Sequence, residues 1–140
     1  MDLADVRQLM ESASPYNRFL GIRVETLGSG RALLWLTPRP EFVGDPRRGS
    51  IHGGVLSALV DTAAGAAAWS TLEPLEDAVS TVDLRIDYLE PATVGADLRA
   101  EAQVRRKGNR VCHASVDITQ GGTLIATGTG VYNIYRGLRG

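Results

Sequence analysis

The stretch that decides the fold is RRGSIHGGVLSALVDTAAGAAAW, Arg47 to Trp69. From Gly49 to Leu72 the one acidic or basic side chain is Asp61, and His52 is the one other titratable group. Everything else in that span is apolar or small. A Pro- and Gly-rich loop, PRPEFVGDPRRGS, ends at Ser50-Ile51-His52, where a long helix begins and runs to about Trp69. A helix this apolar must be surrounded by protein. Its length also invites a membrane reading, but it is built of Ala, Gly, Ser and Thr around a central Asp, which is costly at mid-bilayer.

The flanks supply what surrounds the helix. IRVETLG and RALLWLT, separated by Gly28-Ser29-Gly30, read as a hairpin. After the helix, VSTVDLRIDYLEP alternates, with Val82, Leu84, Ile86 and Tyr88 on one face and Thr81, Asp83, Arg85 and Asp87 on the other, until Pro91. DLRAEAQVRR and RVCHASVDIT alternate likewise and should pair antiparallel, and TLIATGTGVYNIY reads as a final, central strand. Before all of these, Leu3, Val6, Met10 and Ala13 recur at helical spacing behind Asp2, a short amphipathic helix that reads as packing. YNRFLG adds a further turn. About six strands and one long inserted helix make an α+β pattern in which a curved antiparallel sheet wraps the helix. One sheet covers one side of it, so the pattern predicts a dimer.

On a 3.6-residue period Gly54, Ser57, Asp61, Gly65 and Ala68 form a stripe of small residues, with Val55, Leu56, Leu59, Val60 and Ala63 around the rest. Asp61 therefore faces a groove. A lone helical Asp is usually just solvated; one isolated in a buried-looking segment points to chemistry. His52-Gly53-Gly54 opens the helix, where amide N–H groups lack intrahelical acceptors and suit an oxygen that becomes negative. His52 reads as a cap or hydrogen-bonder before it reads as a base. Asp61 lies nine residues beyond His52, about 13 Å along one helix, so a symmetric partner brings the two ends together more easily than one chain does.

Composition narrows the alternatives. At 140 residues, 44% apolar and 22% charged, the chain suits one soluble domain, residues 1–140. Fifteen basic against 16 acidic residues leave no basic excess for nucleic acid. The lone Cys112 excludes an intramolecular disulfide and a cysteine zinc site, and it reads as an inert core residue. An acidic N-terminus without a signal-peptide pattern predicts a cytoplasmic protein with no membrane partner. Ser50 and Ser57 lack a nucleophile-elbow setting, and neither a P-loop nor a dinucleotide fingerprint occurs.

GSIHGGVLSALVDTAAG and STVDLRIDYLEPATVG together resemble hotdog-fold acyl-CoA thioesterases of the phenylacetic-acid-degradation (PaaI) type, over roughly Gly21 to Tyr135. HGG with an Asp nine residues after the His, followed by D-x-x-x-x-Y-x-x-P from Asp83 to Pro91, carries the resemblance. It implies a hotdog fold, a homodimer that pairs into a homotetramer, and hydrolysis of an aryl- or medium-chain acyl-CoA without metal or cofactor. It further implies that Gly53 N–H of one subunit polarises the thioester carbonyl while Asp61 of the other attacks it or activates water. Thr81 matches the position that orients the water, and His52 orders the loop. Gly54 and Asp45 fall in the substrate-binding loop, where the family's Asn is replaced by Pro46 beside Asp45. The turn RRKGNR, with Arg106, Lys107 and Arg110, offers charge to CoA phosphates. Two alternatives stay open on the same fold: a non-catalytic acyl-CoA-binding module and a dehydratase.

Overall fold

A computed structural model describes residues 1–137. The chain opens with α1 (Leu3–Gln8), where Asp2 and Asp5 form a reciprocal capping box. A π-helical turn (Leu9–Ala13) follows, then α2 (Pro15–Leu20), which has Ser14 as its N-cap and Pro15 in its first turn. The hairpin comes next as β1 (Arg23–Gly28) and β2 (Arg31–Leu36), turning through Ser29 and Gly30, both at positive φ.

The Pro-rich loop is more ordered than its composition predicts. It holds a 3-10 turn (Pro40–Phe42) and a small ribbon of β3 (Val43–Asp45) and β4 (Ser50–Ile51). Gly44 backs directly onto His52, where a Cβ would stand 2.9 Å from the His52 Cα. This close approach fixes the entry to the long helix, α3 (Gly53–Trp69). Four longer strands complete the fold: β5 (Ala78–Tyr88), β6 (Leu98–Lys107), β7 (Val111–Gln120) and β8 (Thr123–Tyr135).

Six strands form one sheet in the order β1-β2-β6-β7-β8-β5, every neighbouring pair antiparallel. β6 and β7 pair as their alternation predicts, and β8 is interior, with β5 at the edge beyond it. α3 contacts all six strands, so the sheet wraps it as expected. Leu56, Leu59, Val60, Ala63, Ala64 and Ala67 of α3 are buried with Ala100, Ala102, Ala114, Val116 and Ala126 of the sheet. Small residues on both surfaces let backbones approach closely. At Gly128 a Cβ would stand 2.5 Å from Val60, so that strand position has no room for a side chain. Removing Leu59, fully buried, would cost about 2–5 kcal/mol through lost transfer energy and the cavity left behind. No helix among the described residues is long and apolar enough to cross a membrane.

The alternation expected along β5 breaks at one point. Thr81 pairs with Tyr132 and Asp83 with Val131, so Val82 is an extra residue, a β-bulge. Strict alternation puts Thr81 on the outer face with Asp83 and Arg85. The bulge inverts the phase, and Thr81 turns toward α3. Val82 is left 57% exposed instead of sharing a covered face with Leu84.

Candidate active site

Two places on α3 carry unusual polar geometry, its first turn and its middle. At the first turn His52 is the N-cap, and its Nδ1 accepts the Gly54 N–H at 2.7 Å. The carbonyl of His52 accepts from Val55 N–H at 2.9 Å. Gly53 N–H is the amide of this turn left without an acceptor among the described residues. Tyr88 lies against Gly53: its hydroxyl oxygen stands 3.1 Å from the Gly53 carbonyl oxygen and makes a short hydrogen bond with Ser57 Oγ. Ser57 Oγ also donates to that carbonyl, at 3.1 Å. Ser57 thus serves the helix backbone and Tyr88, as its place in a packed helix predicts.

The middle of α3 holds Asp61, half-buried on the part-open side of the helix with Ala58, Thr62 and Gly65. Thr81 Oγ1 donates to Asp61 Oδ1 at 2.8 Å, a contact that exists because the Val82 bulge turns Thr81 inward. Tyr132 donates to the same Oδ1 at 2.9 Å and lies 2.9 Å from the Asp61 carbonyl. Burial, reinforced by the Asp61 charge and the hydrogen bond to it, pushes the Tyr132 hydroxyl well above the ordinary tyrosine range. Tyr132 therefore remains a proton donor at any physiological pH. Asp61 Oδ2 receives no hydrogen bond from a described residue. The carboxylate opens on a cavity of about 210 Å³ lined in part by Gly65, Trp69, Val79, Met10 and Asn17.

Tyr132 is the site residue that sequence reasoning missed. Within TLIATGTGVYNIY it reads as one more core residue, and it is indeed buried. A signal for it is present in Gly130, two residues earlier on the same face. There a Cβ would stand 2.5 Å from the Tyr132 ring, so the glycine makes the space the ring occupies.

The other candidates are scattered. Gly54 lines the helix entry, with its N–H committed to His52. Asp45 sits on β3, and the Arg47 guanidinium, bonded to both its oxygens at 3.0 Å, holds its carboxyl below the usual range. Lys107 Nζ donates to the Thr71 carbonyl at 2.6 Å, just past the C-terminal end of α3. Arg106 and Arg110 flank the same β6–β7 turn. Within one chain these cations are at the opposite end of α3 from Gly53, so the structure does not bring them to the helix entry. Cys112 is fully buried and desolvation pushes its thiol pKa up, the setting of an inert residue. Among the described residues no three His, Cys, Asp or Glu side chains gather into a metal site.

Residues 48–126, which include both the helix entry and Asp61, match the family model of the thioesterase superfamily. The chain belongs to the thioesterase superfamily. A medium/long-chain acyl-CoA thioesterase of Salmonella typhimurium is 31% identical over 133 residues, covering 86% of this chain and 85% of the relative. Acyl-coenzyme A thioesterase 13 of Pongo abelii is 33% identical over 129 residues, 90% of this chain and 89% of its own. A mutant structure of the phenylacetic acid degradation protein PaaI from Thermus thermophilus aligns with a TM-score of 0.75 at 28% identity, over 86% of this chain and 98% of that one. The wrapped helix is thus the hotdog fold of a PaaI-type thioesterase, and the chain is a thioester hydrolase. Thr81 lies inside the matched span, whereas Met10, Asn17 and Tyr132 lie outside it.

Proposed function

We propose that this thioesterase hydrolyses acyl-CoA esters, of aryl or medium-chain acids, as a homodimer whose sites each combine Asp61 of one subunit with Gly53 of the other. The observation that carries the reading is the grip on Asp61: two hydroxyl donors fix Oδ1, Oδ2 has no donor among the described residues, and Asp61 lines the cavity. A carboxylate held in this way can take a proton from water. The water oxygen then bonds to the thioester carbon, and the carbonyl oxygen becomes negative against the Gly53 N–H. Collapse of that intermediate breaks the C–S bond, and the proton on Asp61 passes to the departing thiolate. Thr81 and Tyr132 are positioning residues, and His52 orders the turn that presents Gly53. Direct attack by Asp61 on the thioester carbon remains the covalent variant of the same scheme.

A second subunit is part of the proposal because Asp61 and Gly53 are eight residues apart, about 12 Å along α3. β5 supports the pairing. It is an edge strand of 11 residues, and it carries both contacts: Thr81 to Asp61 near one end, Tyr88 to Gly53 at the other. Two β5 edges meeting antiparallel about a two-fold axis near Leu84–Arg85 bring Tyr88 and Gly53 of one subunit beside Thr81 and Asp61 of the other. Exposed Val82 and Leu89 on or next to this strand fit an edge that is covered in the assembly.

The test is thiol release from a panel of aryl- and alkyl-CoA thioesters by wild type and by Asp61→Asn, with the molecular mass measured in solution. Release by wild type, its loss in the variant and a mass of at least a dimer are expected. A wild type that binds the esters and releases no thiol sinks the enzymatic reading; a strict monomer sinks the shared site.

A further inference from the structure

Asp61 and Thr81 come from the part of the chain matched by the thioesterase superfamily, but the cavity they open on is walled in part by residues from outside it. Met10, from the π-helical turn, and Asn17, from α2, line the same space as Asp61, Gly65, Trp69 and Val79. The N-terminal segment therefore does more than pack. We propose that Met10 and Asn17 select the acyl group, walling the Asp61 cavity against long alkyl chains and so favouring aryl and medium-length ones. The proposal rests on the thioesterase reading above.

Met10 is the apolar part of the wall. It is buried, and its thioether side chain takes up space along the cavity wall. The local widening of the helix into a π-turn over Leu9–Ala13, a feature frequent at functional sites, is the element that carries it. Asn17 is the polar part. Its backbone is used, with N–H donated to Ser14 Oγ at 3.4 Å and the carbonyl accepting from Gly21 and Ile22, but its carboxamide has no hydrogen-bond partner among the described residues. An alkyl chain laid over that amide would strip it of water and return no hydrogen bond, which is unfavourable. An aryl or medium-length acyl group stops before it. The remaining walls, Gly65, Ala66, Trp69 and Val79, suit an apolar acyl group near the reacting carbon.

The experiment compares kcat/KM for a straight-chain series from butanoyl- to palmitoyl-CoA among wild type, Met10→Ala, Asn17→Leu and Leu9→Ala. Wild type should favour medium chains over palmitoyl-CoA. Met10→Ala opens the wall and Asn17→Leu makes it apolar, and each should raise the palmitoyl-to-medium-chain ratio at least about tenfold, the low end of what a small change in a hydrophobic pocket is worth. Leu9, a part-exposed neighbour in the same π-turn that does not line the cavity, should leave the ratio unchanged on truncation. Asn17 is only half-buried, so its variant reads out even if Met10→Ala unfolds the segment. An unchanged ratio in an active Asn17→Leu, or a wild type that prefers palmitoyl-CoA, overturns the selectivity wall alone. A wild type inert on every ester overturns the thioesterase reading and this one with it.

Discussion

The first turn of α3 and its middle turn are built in opposite ways. At the first turn the proposed working group is a backbone N–H on a glycine, and the surrounding side chains, His52, Ser57 and Tyr88, are occupied with holding the backbone. At the middle turn the proposed working group is a side chain, Asp61, and Thr81 and Tyr132 hold the carboxylate itself. One end offers a donor and the other a base. Each lacks what the other has, and about 12 Å of helix separates them within one chain. A single edge strand, β5, supports both. On the proposed reading, that division is why α3 carries its one acid so far from its glycine pair.

The sharpest break of this comparison is to disable each end separately and mix the products. Asp61→Asn keeps the shape and an oxygen for Thr81 and Tyr132 but removes the base, so kcat should fall about 10³-fold. Gly53→Pro removes one N–H at the first helical position, where proline is tolerated, and should cost about 10²- to 10³-fold. Gly53→Ala is its control, since it keeps the N–H while adding a Cβ 3.3 Å from Tyr88. Both variants are nearly inactive alone. Exchanged one to one, half of the dimers should be mixed and each should carry one intact site, restoring about a quarter of wild-type activity. No recovery in verified mixed dimers would mean that both groups act within one chain.

How far the sequence foretold this differs between the two ends. The first turn was legible because capping chemistry is local: His52, two glycines and a long apolar run specify a helix start without knowledge of the rest. Asp61 stood out because nothing near it is charged. Its partners were hidden from the residue pattern by tertiary effects, Thr81 being reached through the family resemblance and Tyr132 not at all. Thr81 falls on the wrong face in a strict alternation, and one bulged residue, Val82, corrects the phase. Bulges leave no reliable mark in a single strand, because they are set by the register of the neighbour, here β8. Tyr132 looks like core because it is core; its hydroxyl meets the carboxylate only because β8 passes Asp61. The N-terminal segment reads as packing for the same reason, since Val6 and Met10 are buried and the cavity behind Met10 involves residues more than 50 positions away.

A smaller effect sharpens the middle turn. Tyr132→Phe removes one of the two donors to Oδ1 and leaves Thr81 in place. We expect kcat to drop about tenfold with KM little changed, together with a stability loss of about 1–2 kcal/mol for the missing hydrogen bonds. Gly130→Ala should shift kcat the same way by displacing the ring, with the hydroxyl still present. A Tyr132→Phe enzyme of full activity and reduced stability would reduce the residue to a structural role.

The smallest expected effect comes from the proton that Tyr132 keeps. Its folded-state pKa is raised by burial and by Asp61, whereas the unfolded chain releases that proton near the ordinary tyrosine value of about 10. Below that value both states hold the proton, and Tyr132 adds no pH dependence to stability. Above it the unfolded state binds fewer protons than the folded one, so stability must fall as pH rises, by up to about 1.4 kcal/mol per pH unit for one group. Cys112 follows the same sign from a lower starting point, because burial raises its thiol pKa as well. Urea unfolding of wild type should therefore weaken in two stages as pH is raised through the alkaline range. Tyr132→Phe should remove the second stage only, and Cys112→Ala the first. Parallel curves for wild type and Tyr132→Phe above pH of about 10 would mean that the hydroxyl ionises as easily in the fold as out of it. The geometry that pins Asp61 Oδ1 would then be looser in solution than its two short contacts with Thr81 and Tyr132 describe.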